Sequence, residues 1–104
     1  MIKELLPNEN FEELTKTGVS VIDFNATWCG PCKMLHPHLE EVSEEFKDYK
    51  FISVDVDKFP QLSATFNIRA VPTLFVIKDG KILRASTGYM DSKSLKSLIS
   101  TAVK

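Results

Sequence analysis

Two cysteines three residues apart are the only sulfhydryl groups of the chain, and they lie in the run Trp28-Cys29-Gly30-Pro31-Cys32-Lys33. A disulfide between them would close a very small loop, and such a short crosslink constrains the unfolded chain little. At the first turn of a helix the same spacing brings both sulfurs within disulfide distance, and the helix N-terminus favours a thiolate on the first sulfur. The pair therefore indicates redox chemistry and not structural crosslinking.

The two sulfurs are expected to act in turn. Cys29 should lie partly exposed at the helix end, where unpaired backbone N–H groups favour the anion, so it is the candidate nucleophile. Cys32 should be more enclosed, one turn into the helix, and would attack the mixed disulfide to release the reduced substrate. Gly30 and Pro31 supply no charge that stabilises a thiolate, which favours a reductant over an oxidase or isomerase. A pair of buried structural cysteines is the alternative.

A carboxylate interrupts the apolar run that leads to the cysteines. Asp23 lies within Val21-Ile22-Asp23-Phe24, a dense β-branched and aromatic segment that predicts a strand covered on both faces. Burial of a carboxylate costs free energy and raises its pKa. The alternative is a side chain that points into solvent at the end of the strand.

Strand and helix patterns alternate around these residues. A strand is predicted for Val19 to Phe24, a helix for about residues 32 to 47, and a second strand for Phe51 to Val56. Pro37 lies inside the helix and should kink it, because proline removes a backbone donor. This order of elements predicts a β-α-β unit with two parallel strands.

Shorter elements flank this unit. Asn10 should cap a short helix at Phe11 to Leu14, with Glu13 at the reciprocal capping position, and another short helix is predicted at about residues 59 to 66. Asp79-Gly80 lies between two strand-like runs, Thr73 to Ile77 and Lys81 to Ser86, and predicts a β-hairpin. Asp91 should cap a closing amphipathic helix. We expect an α/β fold in which helices flank a central mixed β-sheet.

Composition limits the classes of function. The chain has 104 residues, 43% of them hydrophobic, which suits one core and a single domain spanning residues 1–104. Thirteen basic and fourteen acidic residues give a net charge of -1 without long blocks of either sign, so we expect no nucleic-acid partner. The sequence has no membrane-spanning run and no signal-peptide pattern, so we expect a cytoplasmic monomer without a membrane partner. A reducing compartment favours a catalytic disulfide over a structural one.

Three segments resemble the thioredoxin family: Trp28 to Lys33 with its Cys-Gly-Pro-Cys motif, Val21 to Phe24 before it, and Val71-Pro72-Thr73 further along. The similarity covers almost the whole chain. It implies the thioredoxin fold and a dithiol/disulfide oxidoreductase that reduces disulfide-containing protein substrates. The resemblance also implies re-reduction by thioredoxin reductase with electrons from NADPH, and no cofactor bound to the chain itself.

The resemblance further implies individual roles. Asp23 would lie behind Cys32 and relay its proton as a general acid and base. The bond between Val71 and Pro72 would be cis, and the backbone before this proline would pair with an extended segment of the substrate. We call the following residues the docking surface: Trp28, Gly30, Pro31, Val71, Pro72, Gly88 and Tyr89.

Two positions depart from the family pattern. Asn25 lies where a tryptophan is common, and Ser53 lies where a lysine often faces the buried aspartate. Without that ammonium group the ionised form of Asp23 loses a partner, so the pH optimum and the redox potential cannot be carried over from the family.

Two alternatives from other functional classes remain. The chain could be a binding module that uses the same surface to stabilise a partner, with idle cysteines. It could also be a zinc module in which His36 and His38 join Cys29 and Cys32, although His38 should point away from Cys32 on the helix. We expect the two histidines to face solvent or to pack, and we expect no metal.

Overall fold

The computed structural model describes residues 1–104 and contains five strands and four helices. In chain order these are β1 (Ile2–Glu4), α1 (Phe11–Thr15), β2 (Val19–Asn25), α2 (Gly30–Glu45), β3 (Lys50–Asp55), α3 (Pro60–Thr65), β4 (Thr73–Lys78), β5 (Lys81–Thr87) and α4 (Ser92–Ala102). No helix is both long enough and apolar enough to cross a membrane.

The strands form one mixed sheet in the order β1-β3-β2-β4-β5. β3 runs parallel to both β1 and β2, whereas β4 is antiparallel to β2 and to β5. The predicted β-α-β unit, the hairpin and the central mixed sheet are thus confirmed. Strand β1 was not predicted, because its three residues carry no pattern of their own and are ordered by pairing with β3, from Ile2 opposite Phe51 to Glu4 opposite Ser53.

Helices cover both faces of the sheet. On one face, α2 and α4 pack on alternate strand residues such as Val21, Phe51 and Val76. On the other face, α1 and α3 lie over a second cluster that includes Ile22 and Phe24. Because successive strand residues point to opposite faces, Asp23 and Asn25 share the α2 face with Val21.

Helix α2 begins earlier than the sequence pattern predicts and continues through Pro37 to Glu45. The early start follows from capping. Cys29 has extended backbone geometry and is the N-cap, while Pro31 lies in the first turn, where its missing N–H has no intrahelical partner to lose.

Helices α1 and α4 are also capped by side chains at their N-termini. Asn10 accepts the backbone N–H of Glu13 at the start of α1, and Asp91 accepts that of Ser94 at the start of α4. Between β4 and β5, Asp79 and Gly80 both have positive φ, as a two-residue hairpin turn requires.

Candidate active site

The dithiol lies at the junction between the central strand and α2. The sulfurs of Cys29 and Cys32 are joined in a disulfide, with 5.3 Å between the two Cα atoms. The Sγ atom of Cys29 also accepts the backbone N–H of Cys32 at 3.1 Å, so the sulfur itself caps the helix. An anionic sulfur at this position would be stabilised by the same N–H and by the helix dipole.

The expected difference in exposure between the two sulfurs is wrong for this oxidised form. Cys29 is 4% exposed and Cys32 is 5% exposed. Cys29 is covered because it packs with Ala26 and against Val71, whose carbonyl oxygen lies 3.7 Å from the Cys29 Sγ atom. A loop far away in sequence therefore contributes to the burial of Cys29.

Asp23 is buried in the middle of the molecule, with only 1% of its surface exposed. The alternative of a solvent-facing carboxylate at the strand end is therefore wrong. Burial raises the pKa of Asp23 from 3.8 to about 6, and the nearby amide of Asn25 and the charge of His36 oppose this increase only partly. At near-neutral pH this carboxyl group is able both to accept and to return a proton.

Two polar side chains surround the Asp23 carboxylate. The Nδ2 atom of Asn25 lies 3.3 Å from Asp23 Oδ2 and 3.1 Å from the backbone oxygen of Asp23, and it donates to Ser53 Oγ at 2.7 Å. The other carboxylate oxygen, Oδ1, is buried and has no hydrogen-bond partner. The Asn25 amide therefore holds one carboxylate oxygen, whereas the other has no protein partner.

A small cavity links the carboxylate to the dithiol. Its volume is about 160 Å³, which is room enough for water molecules between polar groups. Its lining consists of Asp23, Asn25, Ala26, Cys32, Lys33, His36 and Ser53. The arrangement offers a path along which a proton could pass between the Cys32 sulfur and Asp23.

The first three residues of the docking surface lie on the solvent side of the dithiol. Trp28 is 69% exposed, and its indole N–H donates to Asp57 Oδ2 at 2.9 Å. Gly30 and Pro31 are also exposed, at the start of α2. The role of Asp57 was not predicted, because nothing in the local sequence indicates which side chain the indole meets.

The remaining members come from two loops. The bond between Val71 and Pro72 is cis, Val71 is half-buried, and the Pro72 ring is buried beneath the surface. The N–H of Gly88 donates to the Pro72 oxygen at 2.8 Å, which holds the two loops together, and Tyr89 lies exposed beside them. The N–H and C=O of Val71 take part in no backbone–backbone hydrogen bond. An extended peptide could pair with these free groups.

The two histidines differ in their surroundings. His36 is exposed and lines the cavity beside Asp23. His38 is half-buried, and its two ring nitrogens lie 2.9 Å from the Tyr89 hydroxyl and 2.8 Å from Ser92 Oγ. This link between α2 and the Tyr89 loop was not predicted, because the two residues are 51 positions apart. The structure contains no group of three or more His, Cys, Asp or Glu side chains that could hold a metal ion.

Comparison with known proteins places this geometry in a family. The family model for thioredoxin matches residues 3–101. Thioredoxin from Chlamydia trachomatis is 40% identical over 97 residues, which are 93% of this chain and 95% of that protein. Thioredoxin from Listeria monocytogenes is 38% identical over 104 residues, which cover 99% of this chain and 100% of that protein.

Solved structures agree with the sequence comparison. A mutant thioredoxin from Halobacterium salinarum matches with a TM-score of 0.87 at 31% identity, covering 99% of this chain and 91% of that one. A thioredoxin from Malassezia sympodialis matches with a TM-score of 0.86 at 33% identity, covering 100% of this chain and 92% of that one. The thioredoxin fold that the resemblance implied is confirmed, and with a joined cysteine pair at the start of α2 the chain belongs to the thioredoxin family of dithiol–disulfide oxidoreductases.

Proposed function

We propose that this protein is a general reductant of protein disulfides in the cytoplasm, and that a thioredoxin reductase re-reduces it with electrons from NADPH. The observation that carries the proposal is the position of the Cys29 sulfur. It caps α2 by accepting the Cys32 N–H, and it lies beside the unpaired backbone of Val71. A nucleophile and a place for an extended substrate are thus adjacent.

The first step belongs to Cys29. In the reduced protein its thiolate, stabilised by the N–H groups at the start of α2, attacks one sulfur of the substrate disulfide. A bond forms between Cys29 and the substrate, the disulfide of the substrate breaks, and one substrate thiolate leaves and takes a proton from solvent. The product is a mixed disulfide.

The second step belongs to Cys32 and Asp23. The Asp23 carboxylate accepts the thiol proton of Cys32 through the cavity that both residues line. The Cys32 thiolate attacks Cys29 Sγ, the bond between Cys29 and the substrate breaks, and the second substrate thiolate leaves and is protonated. Two electrons have then passed to the substrate, and the Cys29–Cys32 disulfide is restored.

Re-reduction runs the same exchange in the opposite direction. A thiolate of the reductase attacks Cys29 Sγ, Cys32 leaves, and Asp23 returns a proton to it. A second thiolate of the reductase then attacks the mixed disulfide, which releases Cys29 as a thiolate and joins the two reductase sulfurs in a disulfide. NADPH supplies the two electrons to the reductase, so this chain needs no cofactor of its own.

Substrates would dock as extended segments on the docking surface. The free N–H and C=O of Val71 would pair with the substrate backbone, as when a strand is added to a sheet edge. Trp28 and Tyr89 would contribute exposed aromatic area on either side. Backbone pairing is independent of the side chains of the substrate, which suits a protein that acts on many disulfides.

The division of labour between the sulfurs gives the test. We expect Cys32→Ser to accumulate a mixed disulfide with a disulfide-containing protein, because attack occurs and resolution does not, whereas Cys29→Ser should capture none. Both variants should fail to support NADPH oxidation in the presence of a thioredoxin reductase and a protein disulfide. Mass spectrometry of the non-reduced products identifies the trapped bond. Equal trapping by the two variants, or trapping through Cys32 alone, would overturn the assignment.

A further inference from the structure

We propose that Asn25, anchored by Ser53, is a positioning residue that holds the Asp23 carboxylate for proton exchange with Cys32. This inference rests on the proposed function and adds to it a group that acts only through Asp23. The two oxygens of the Asp23 carboxylate differ in their hydrogen bonds.

The amide of Asn25 distinguishes the two carboxylate oxygens. Its nitrogen is 2.7 Å from Ser53 Oγ and 3.3 Å from Asp23 Oδ2. The short contact to Ser53 fixes the orientation of the amide, and the longer contact holds Oδ2. Since Oδ1 is buried without any partner, it is the oxygen left to receive a proton.

The strands place these three side chains together. Asp23 and Asn25 are two residues apart on β2 and therefore point to the same face, which α2 covers. Ser53 is the register partner of Asp23 on the parallel strand β3. Preceding residues on this face, Val21 and Phe51, belong to the apolar core. The side chains of Asn25 and Ser53 thus place polar atoms in an otherwise apolar layer, next to the Asp23 carboxylate.

Few other charged groups face the carboxylate. Helix α2 contributes Lys33 and His36 to the cavity lining, and Glu40 lies 3.9 Å from the His36 ring. Strand β4 places the apolar Leu74 opposite Asp23.

On the neighbouring strand β3, the only cation is Lys50, which pairs with Ser20 and not with Asp23. Asp55, the register partner of Asn25 on β3, uses its carboxylate to accept the backbone N–H groups of Asp57 and Lys58. Asn25 is accordingly the side chain that makes a direct hydrogen bond to the Asp23 carboxylate.

A neutral donor has a specific chemical consequence. It favours the ionised carboxylate, but less than a full positive charge would, so Asp23 keeps a pKa of about 6 and can be protonated at near-neutral pH. The same group is then able to accept a proton from Cys32 and to return it. Removing the amide should push the titration of Asp23 to still higher pH.

Single-turnover resolution of a preformed mixed disulfide, measured against pH, tests the inference. Asn25→Ala should move the acidic limb of the profile to higher pH and slow resolution about threefold to tenfold on that limb. Ser53→Ala should move the acidic limb in the same direction by a smaller amount, because it removes the hydrogen-bond partner of the Asn25 amide and leaves the amide itself in place. A ¹³C NMR titration of the Asp23 carboxyl group should show its midpoint shifted upward in both variants.

Two controls keep the outcomes distinct. Ser20→Ala removes a fully buried hydroxyl of β2 that has no hydrogen-bond partner, and it should leave the profile unchanged. In an Asp23→Asn background, Asn25→Ala should have no further effect. If Asp23→Asn itself leaves resolution unchanged, the proposed acid–base role fails. If Asp23→Asn slows resolution while the Asn25 and Ser53 variants move neither the NMR midpoint nor the limb, the positioning role is overturned.

Discussion

Two polar networks flank the dithiol, one behind it and one on its solvent side. Behind it, Asp23, Asn25 and Ser53 lie between the sheet and α2. On the solvent side, the indole of Trp28 donates to Asp57 in open solvent. The bonds have similar lengths, but buried electrostatic interactions are strong and exposed ones are screened by water. The buried network therefore modulates the pKa that burial sets for Asp23, whereas the exposed network should mainly orient a surface side chain.

The largest expected effect is the pH dependence of stability that Asp23 imposes. Its pKa is about 6 in the folded protein and 3.8 when exposed, so folding favours the protonated carboxyl. The Asp23 carboxyl contributes most to the free energy of unfolding below pH 3.8. This contribution decreases as the pH rises from 3.8 through about 6, and it is constant at higher pH. The total loss is on the order of 3 kcal/mol.

Urea unfolding of the parent and of Asp23→Asn across this pH range isolates that contribution. The difference between the two curves cancels the opposite slopes of other carboxylates such as Glu9 and Asp91, whose pKa values are lowered by hydrogen bonds. We expect the variant to gain stability relative to the parent as pH rises. A difference curve that is flat with pH would contradict the burial argument.

The next effect concerns the rate of exchange. Asp23→Asn should slow the resolving step by about 100-fold, or about 2.7 kcal/mol, at the lower end of what a positioned acid–base group contributes. Formation of the mixed disulfide by Cys29 should be unchanged, since that step does not use Asp23. Stopped-flow traces that resolve the two steps provide the measurement. Equal slowing of both steps would indicate a general structural change instead.

The smallest effect is expected on the solvent side. Asp57→Ala leaves the indole N–H of Trp28 without its partner, and because the pair is exposed the cost in stability should be below about 1 kcal/mol. The looser indole should raise KM severalfold at an unchanged kcat and an unchanged pH profile. Asp57→Asn keeps an acceptor oxygen and serves as the matched control. A shift of the pH profile in Asp57→Ala would show that the two networks are coupled.

The sequence predicts best what is encoded by neighbouring residues. The β-α-β unit and the burial of Asp23 follow from apolar runs in β2 and β3 and from the helical spacing between them. The hairpin follows from Asp79 and Gly80 between two strand-like runs. Each of these signals is contained in one segment of chain.

Contacts between distant segments could not be predicted in the same way. Asn25 and Ser53 were each noticed as departures from the family pattern, but their contact spans 28 positions and depends on the register of two parallel strands. The predicted exposure of Cys29 was wrong for a related reason, since Val71, which packs against it, lies 42 positions away in the sequence. Strand β1 likewise depends on pairing across the chain.

The central position of β2 has a consequence for how protons reach Asp23. This strand is hydrogen-bonded along both edges and buried on both faces, so its amides should exchange with deuterium only through the largest opening events of the molecule. Such openings approach global unfolding in free energy, so exchange between Asp23 and solvent should not depend on them. Water must therefore reach the carboxyl group through the cavity while the sheet stays closed. Asp23 is thus held on the central strand, and its exchange of protons with solvent should proceed through the cavity beside α2 without any opening of the sheet.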